Sequence, residues 1–142
     1  MRHRNPSESE LATLLSTTRT IAVVGASSNP GKPSHGIFRQ LQRAGYRVIP
    51  VNPNETEVLG ERAYPSLEAV PGKVDLVNVF RRAEFTPDVA DSAVAIGADA
   101  LWLQLGIVNE DAARRAMDGG LKVVMDECIG VVHAELGIAP KT

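Results

Sequence analysis

The chain has 142 residues, of which 44% are hydrophobic and 23% charged, which fits one globular domain with a real core and neither two domains nor a disordered chain. Fifteen Lys and Arg against 17 Asp and Glu give a formal charge of −2, which excludes nucleic-acid binding through bulk positive charge. One cysteine excludes a disulfide framework and a Cys-rich zinc site, three scattered histidines give no metal cluster, and no apolar run approaches the roughly 18 residues of a membrane span.

The first six residues include basic ones but lead into no apolar segment, so they do not read as a secretory signal, and a cytoplasmic, reducing location is expected. Ser7 followed by Glu10 is a capping-box pattern, with Leu11, Leu14 and Leu15 on one helical face. Residues 1–19 are therefore read as a leading helix and 20–142 as the body of a single domain. Residues 20–25 form a short apolar strand, followed by a loop rich in small residues. A helix starts near Ser34, with Ile37, Phe38, Leu41 and Ala44 at helical spacing and Gly45 as its stop. Residues 47–52 are a second strand, against which Pro50 is an objection because it lacks a ladder donor. After a meandering stretch with a single helical turn past Ser66, residues 74–80 form a third strand. Thr86 reads as the N-cap of the next helix, with Pro87 at its first position. Residues 100–104 are a fourth strand, Asn109 caps a helix that Gly119 and Gly120 end, and residues 121–126 are a fifth strand.

Alternating apolar strands and helices predict an α/β fold: a three-layer, Rossmann-like domain around a parallel five-stranded sheet. The expected strand order is 3-2-1-4-5, with the flavodoxin-like 2-1-3-4-5 as the alternative. In either, ligands bind beyond the carboxyl ends of the strands beside the first one. Past strand one, Gly25, Ala26, Ser27 and Ser28 are small enough for close backbone approach, and Lys32, Pro33 and Ser34 open the helix. That combination suits a phosphate, although it is neither G-x-G-x-x-G nor a Walker loop. Past strand two stand Asn52, Pro53 and Asn54, where NAD-binding domains usually carry an acid; ordinary NAD recognition is disfavoured and NADP remains open. Past strand three, Arg81 and Arg82 can pair with a phosphate or stack on a base. Past strand four lie Gln104, Leu105 and Gly106. Past strand five lies Cys128, the only thiol, with no His or Lys beside it in sequence to activate it. Trp102 is read as core, and no nucleophile–base pair is evident.

Val23-Val24-Gly25-Ala26-Ser27, the run Gly45-Tyr46-Arg47-Val48-Ile49-Pro50-Val51-Asn52-Pro53, and Leu59-Gly60 with Tyr64 and Ser66-Leu67 together resemble one known family. So do Val79-Phe80-Arg81-Arg82, Trp102-Leu103-Gln104-Leu105-Gly106 and Val124-Met125-Asp126 with Cys128. The family is that of small, single-domain coenzyme A-binding proteins, similar to the N-terminal domain of the succinyl-CoA synthetase α subunit. The resemblance implies that coenzyme A (CoA) or an acyl-CoA is held by residues 25–28, 52–54, 79–82 and 104–107. In the synthetase the phosphorylated histidine lies in a second domain, so ligase activity by this chain alone is not expected. The tail after Cys128, Ile129-Gly130-Val131-Val132-His133, departs from the family's usual Pro and basic residue. Lys32, Arg47, Arg81 and Arg82 are the candidate partners of CoA phosphates. Two other readings stay open: an NADP-dependent oxidoreductase, and thiol-redox chemistry in which Cys128 forms a mixed disulfide with CoA.

Overall fold

The computed structural model describes residues 2–141. Met1 and Thr142, at which the expected single domain begins and ends, lie outside the described residues. Five strands form one parallel sheet: β1 (Thr20–Val24), β2 (Arg47–Val51), β5 (Leu76–Val79), β6 (Ala100–Leu103) and β7 (Lys122–Val124). A small antiparallel hairpin, β3 (Glu57–Val58) with β4 (Glu61–Arg62), lies between β2 and β5 in the chain. The helices are α1 (Glu8–Thr17), α2 (Pro33–Arg43), α3 (Thr86–Ala95), α4 (Glu110–Asp118) and α5 (Ile129–Glu135).

The strand order is β2-β1-β5-β6-β7, which is 2-1-3-4-5 when only the sheet strands are counted. The expected order 3-2-1-4-5 is thereby corrected: the third strand pairs with the first, Ile21 opposite Leu76, and not with the second. Pro50 gives the physical reason. Arg47 donates its N–H to Arg19, and Val51 accepts from Gly25, so the odd residues of β2 face β1. Pro50 therefore points outward, where a central strand would need its missing N–H. As an edge strand, β2 needs only the Pro50 carbonyl there, which accepts from Tyr64 at 3.0 Å.

Each face of the sheet carries its own core. Ile21, Val23, Val48, Leu76 and Trp102 pack against α1, α2 and α5 through Leu15, Phe38, Leu41 and Ile129. Ala22, Val24, Val77, Val79, Leu101 and Leu103 pack against α3 and α4, where Ala90, Ala93, Ala112, Ala113 and Ala116 keep the helices close. Trp102 is fully buried, and its indole N–H donates to the Glu127 carbonyl at 2.8 Å.

The helix signals form as read, with one shift. Ser7 and Glu10 make the reciprocal capping box of α1. Asn109 caps α4 by accepting from the Ala112 N–H. Thr86 is not the cap of α3: a 3₁₀ turn (Ala83–Phe85) precedes the helix, Phe85 holds the cap position, and the Thr86 hydroxyl donates to the Ala83 carbonyl. Helix α5 was not expected. It packs on α2 at Gly130, where any side chain would meet Gln40 and Ile37. No helix among the described residues is long and apolar enough to cross a membrane.

The leading helix and the C-terminal tail meet at Tyr46. Its hydroxyl donates to the Leu15 carbonyl at 2.6 Å, and burial pushes its pKa up to about 12. His133 packs edge-on against the Tyr46 ring at 5.7 Å, and the Lys141 ammonium lies 5.1 Å from that ring's centre. Burial first, then the Lys141 charge, lowers the His133 pKa, so the imidazole is held neutral. The unfolded chain protonates this histidine near its ordinary value of about 6.5, while the folded chain resists. Stability is accordingly full above that value and falls as the pH drops through it toward the depressed folded value. Urea unfolding at pH 7.5 and 5.5 should show a loss that shrinks in a His133→Leu variant; equal losses in both proteins would contradict this assignment.

Candidate functional site

Beyond the carboxyl ends of β1, β2 and β5 lies an open cleft of about 660 Å³. One wall is the loop from β1 into α2, the turn after β2 closes its side, and the first turns of α3 with residues 65–68 form the opposite wall.

Gly25 makes the first turn possible. It has φ +89°, and a β-carbon there would lie 2.5 Å from the Phe80 carbonyl oxygen. Its own N–H donates to Val51 at 2.9 Å, while the Phe80 N–H donates to Val24 at 2.8 Å, so the turn is seated between β2 and β5. Asn52 then ties the walls together. Its side-chain amide donates to the Ala26 carbonyl, and its side-chain oxygen accepts from the Asn54 N–H, both at 2.9 Å. An aspartate could not donate to that carbonyl and would oppose it with a second acceptor. That is a structural reason for the amide at the position where NAD-binding domains carry an acid.

The loop is braced from behind as well. The Glu55 carboxylate accepts from the Ser28 N–H at 2.9 Å and from the Ser28 hydroxyl at 2.8 Å, and these bonds lower its pKa. His35 is buried, with Nδ1 2.9 Å from the Ser27 carbonyl oxygen. Asn29 donates its N–H to the Ser27 hydroxyl and accepts from the Gly31 N–H. The N–H groups of Ala26 and Ser27 have no acceptor among the described residues. Helix α2 opens beside them with Lys32 at its cap and Pro33 at its first position.

Of the residues singled out in sequence, Gly25, Ser27, Lys32, Pro33, Ser34, Asn52, Pro53, Asn54, Phe80 and Arg81 line this cleft. The others lie outside its lining. Ala26 is fully buried under the turn, and Ser28 is engaged by Glu55. Val79 is fully buried in the sheet. Arg82 is exposed, 3.7 Å from Glu84. Gln104 is buried, accepting from the Ile129 N–H at 2.9 Å and from the Asn78 amide at 3.1 Å. Leu105 is 68% exposed. Gly106 donates its N–H to the Asp126 carboxylate at 2.7 Å. Cys128 is half-buried at the start of α5. Arg47 begins β2 and so lies at the opposite, amino edge of the sheet. Sequence reasoning missed Pro65, Ser66, Leu67, Glu68, Phe85, Asp88, Val89 and Ser92, which form the second wall. The Pro-Ser pair before the turn and the Thr-Pro-Asp helix start were its visible signals.

A parallel sheet with a glycine turn and a cleft over its carboxyl edge beside the first strand is the architecture of Rossmann-like nucleotide-binding domains. Residues 19–134 match the family model described as a CoA binding domain, and the chain belongs to that family. It is 44% identical over 131 residues to the uncharacterized protein YneT of Bacillus subtilis, covering 92% of this chain and 97% of that one. It is 30% identical over 131 residues to the alpha subunit of the ADP-forming acetate–CoA ligase II of Pyrococcus furiosus. That match covers 83% of this chain but 29% of the ligase subunit, so the chain spans under a third of that relative. A solved hypothetical protein from Pyrococcus horikoshii superposes with a TM-score of 0.91 at 31% identity, covering 96% of this chain and 98% of that one.

Two glycines separate the backbone and contact contributions to the turn. Gly60 has φ +83° with open space around it, whereas Gly25 adds the clash with Phe80. Gly60→Ala should cost about 1 kcal/mol, the usual cost of a left-handed residue. Gly25→Ala should cost clearly more, about 3 kcal/mol, since the carbonyl it meets belongs to the sheet edge. Chemical denaturation of both variants measures the difference, and equal losses would remove the close approach as the reason for Gly25.

Proposed function

We propose that this chain binds coenzyme A or an acyl-CoA in the cleft at the carboxyl edge of the sheet and performs no catalysis by itself. The observation that carries this reading is the convergence on one cleft wall of the Gly25 turn, the Ser27 N–H, which has no acceptor among the described residues, the start of α2 and the Lys32 ammonium. Backbone donors at a helix start with a nearby cation suit a pyrophosphate. Membership of the CoA-binding-domain family and the likeness to ligase subunits support CoA over other nucleotides.

The proposed roles divide into contact and support. Gly25, Ser27, Lys32, Pro33 and Ser34 face the phosphates, and Asn52 and Asn54 shape the floor with Pro53 between them. Ala26, buried and bonded to Asn52, and Ser28, tied to Glu55, keep the loop in place. Phe80 and Arg81 close the β5 side. No side chain in the lining forms a nucleophile–base pair, the feature that covalent acyl transfer needs.

Isothermal titration with CoA tests the reading. Wild-type protein should bind at millimolar concentration or tighter. Lys32→Ala should weaken binding about tenfold, as expected for one charge-assisted phosphate contact. Arg82→Ala, which removes a cation outside the cleft lining, should leave it unchanged. Absence of CoA binding at millimolar ligand would overturn the proposal.

A further inference from the structure

The outer face of α2 carries a row of cations that leads away from the cleft. Pro33, Gly36, Arg39 and Arg43 are the exposed residues of this helix, while Ser34, His35, Phe38 and Leu41 are buried. Positions 36, 39 and 43 share one side of a helix. No acidic residue stands on α2, in a chain with 17 Asp and Glu. The row continues past the helix end. A tight turn, in which Gly45 donates to the Gln42 carbonyl, leads from Arg43 to Arg47, and the Arg47 N–H donates to the Arg19 carbonyl at 2.9 Å. Arg19 and Arg47 are exposed as well.

The fold itself does not use these charges. Among the described residues the guanidinium groups of Arg19, Arg39, Arg43 and Arg47 make no ion pair, whereas Arg114 and Arg115 pair with Asp111 and Asp91. Lys141 reaches the same turn, but its ammonium is engaged by the Ser16 carbonyl and lies over the Tyr46 ring. Arg43, in the last turn, complements the helix dipole. Arg39, one turn earlier, gains nothing from it and stands four residues from a like charge, which weakens a helix. Gly36 is a poor helix former with open space around it, so a second backbone can come close there.

We propose that this row docks an acidic helical segment of a protein partner, with Arg39, Arg43, Arg47 and Arg19 taking its carboxylates and Gly36 admitting its backbone. Charge complementarity selects the occupant, because guanidinium forks pair bidentately with carboxylates. Phosphates would suit the forks too, but a nucleic-acid surface also uses stacking platforms or a broad positive field. This row holds no aromatic residue, and the chain's formal charge is −2. A second copy fits poorly. The acids of α3 and α4 lie across the sheet from α2, and Asp91 and Asp111 are already paired with arginines, so such a contact would run head to tail between opposite faces. None of the docking residues lines the cleft, so the inference does not depend on what the cleft binds.

Fluorescence anisotropy with three labelled probes tests this: a helical peptide with glutamates along one face, its glutamine counterpart, and a single-stranded oligonucleotide of equal charge. The glutamate peptide should bind the wild-type protein, more weakly as salt rises, and the glutamine peptide should not. Arg39→Glu combined with Arg43→Glu should weaken the glutamate peptide about tenfold or more, as loss of two charge-assisted pairs predicts. Arg2→Glu combined with Arg4→Glu changes the net charge equally, but on the arm that packs on α4 and β7 at the other end of the sheet, and should leave binding unchanged. Both double variants should keep the wild-type urea midpoint, since all four side chains are exposed. No binding of the glutamate peptide, equal losses in the two double variants, or tighter binding of the oligonucleotide would overturn the proposal. So would a wild-type dimer in sedimentation that Arg39→Glu with Arg43→Glu abolishes, because a second copy would then be the occupant.

Discussion

The structure depends on the close approach of Gly25 to Phe80. A chain leaving β1 must turn sharply to enter α2, and it must do so between the ends of two flanking strands. Only a residue without a side chain fits at φ +89° with a carbonyl oxygen 2.5 Å from where a β-carbon would stand. The turn is then held on both sides by backbone bonds, to Val51 of β2 and from Phe80 past β5. From that fixed point the loop can run along the sheet edge and leave a cleft in front of it.

The polar groups behind the loop complete the scaffold. Asn52 from the cleft lining, and Glu55 and His35 from outside it, each satisfy a backbone group of residues 26–28. A loop of small residues would otherwise lose little by moving, since it has few apolar contacts to hold it. Bracing it in advance lowers the ordering cost of binding. The same bonds explain why several polar residues near the site are supports and not contacts: Ser28 has already given both its donors to Glu55.

Much of this was readable in the residues themselves. Apolar runs located the five sheet strands because both faces of a covered parallel sheet must be buried. Asn109, Ser7 with Glu10, and Gly45 marked helix ends through local chemistry that needs no tertiary context. Strand order is a tertiary property, and the residue that reports it, Pro50, reads as an objection to β2 until its outward direction is known. Helix α5 escaped because Ile129, Val131 and Val132 are β-branched and Gly130 is a poor helix former; its packing on α2 overrides propensity. On the site, the β1 and β2 turns were legible because topology fixes where strand ends meet. Phe85 and Asp88 were not, because a 3₁₀ turn carries them to the cleft. Gln104, Leu105, Gly106 and Cys128 stand outside the cleft lining because the cleft lies over β1, β2 and β5, away from the ends of β6 and β7.

The central claim is that the cleft beside β1 is where CoA sits, and mapping backbone amide chemical shifts during a CoA titration tests it most directly. Binding there predicts the largest shifts in residues 25–34, 52–54 and 80–89, with the amino edge of the sheet around Arg47 and Asp75 unmoved. Shifts centred on that opposite edge, or around Gly106 and Cys128 alone, would contradict it.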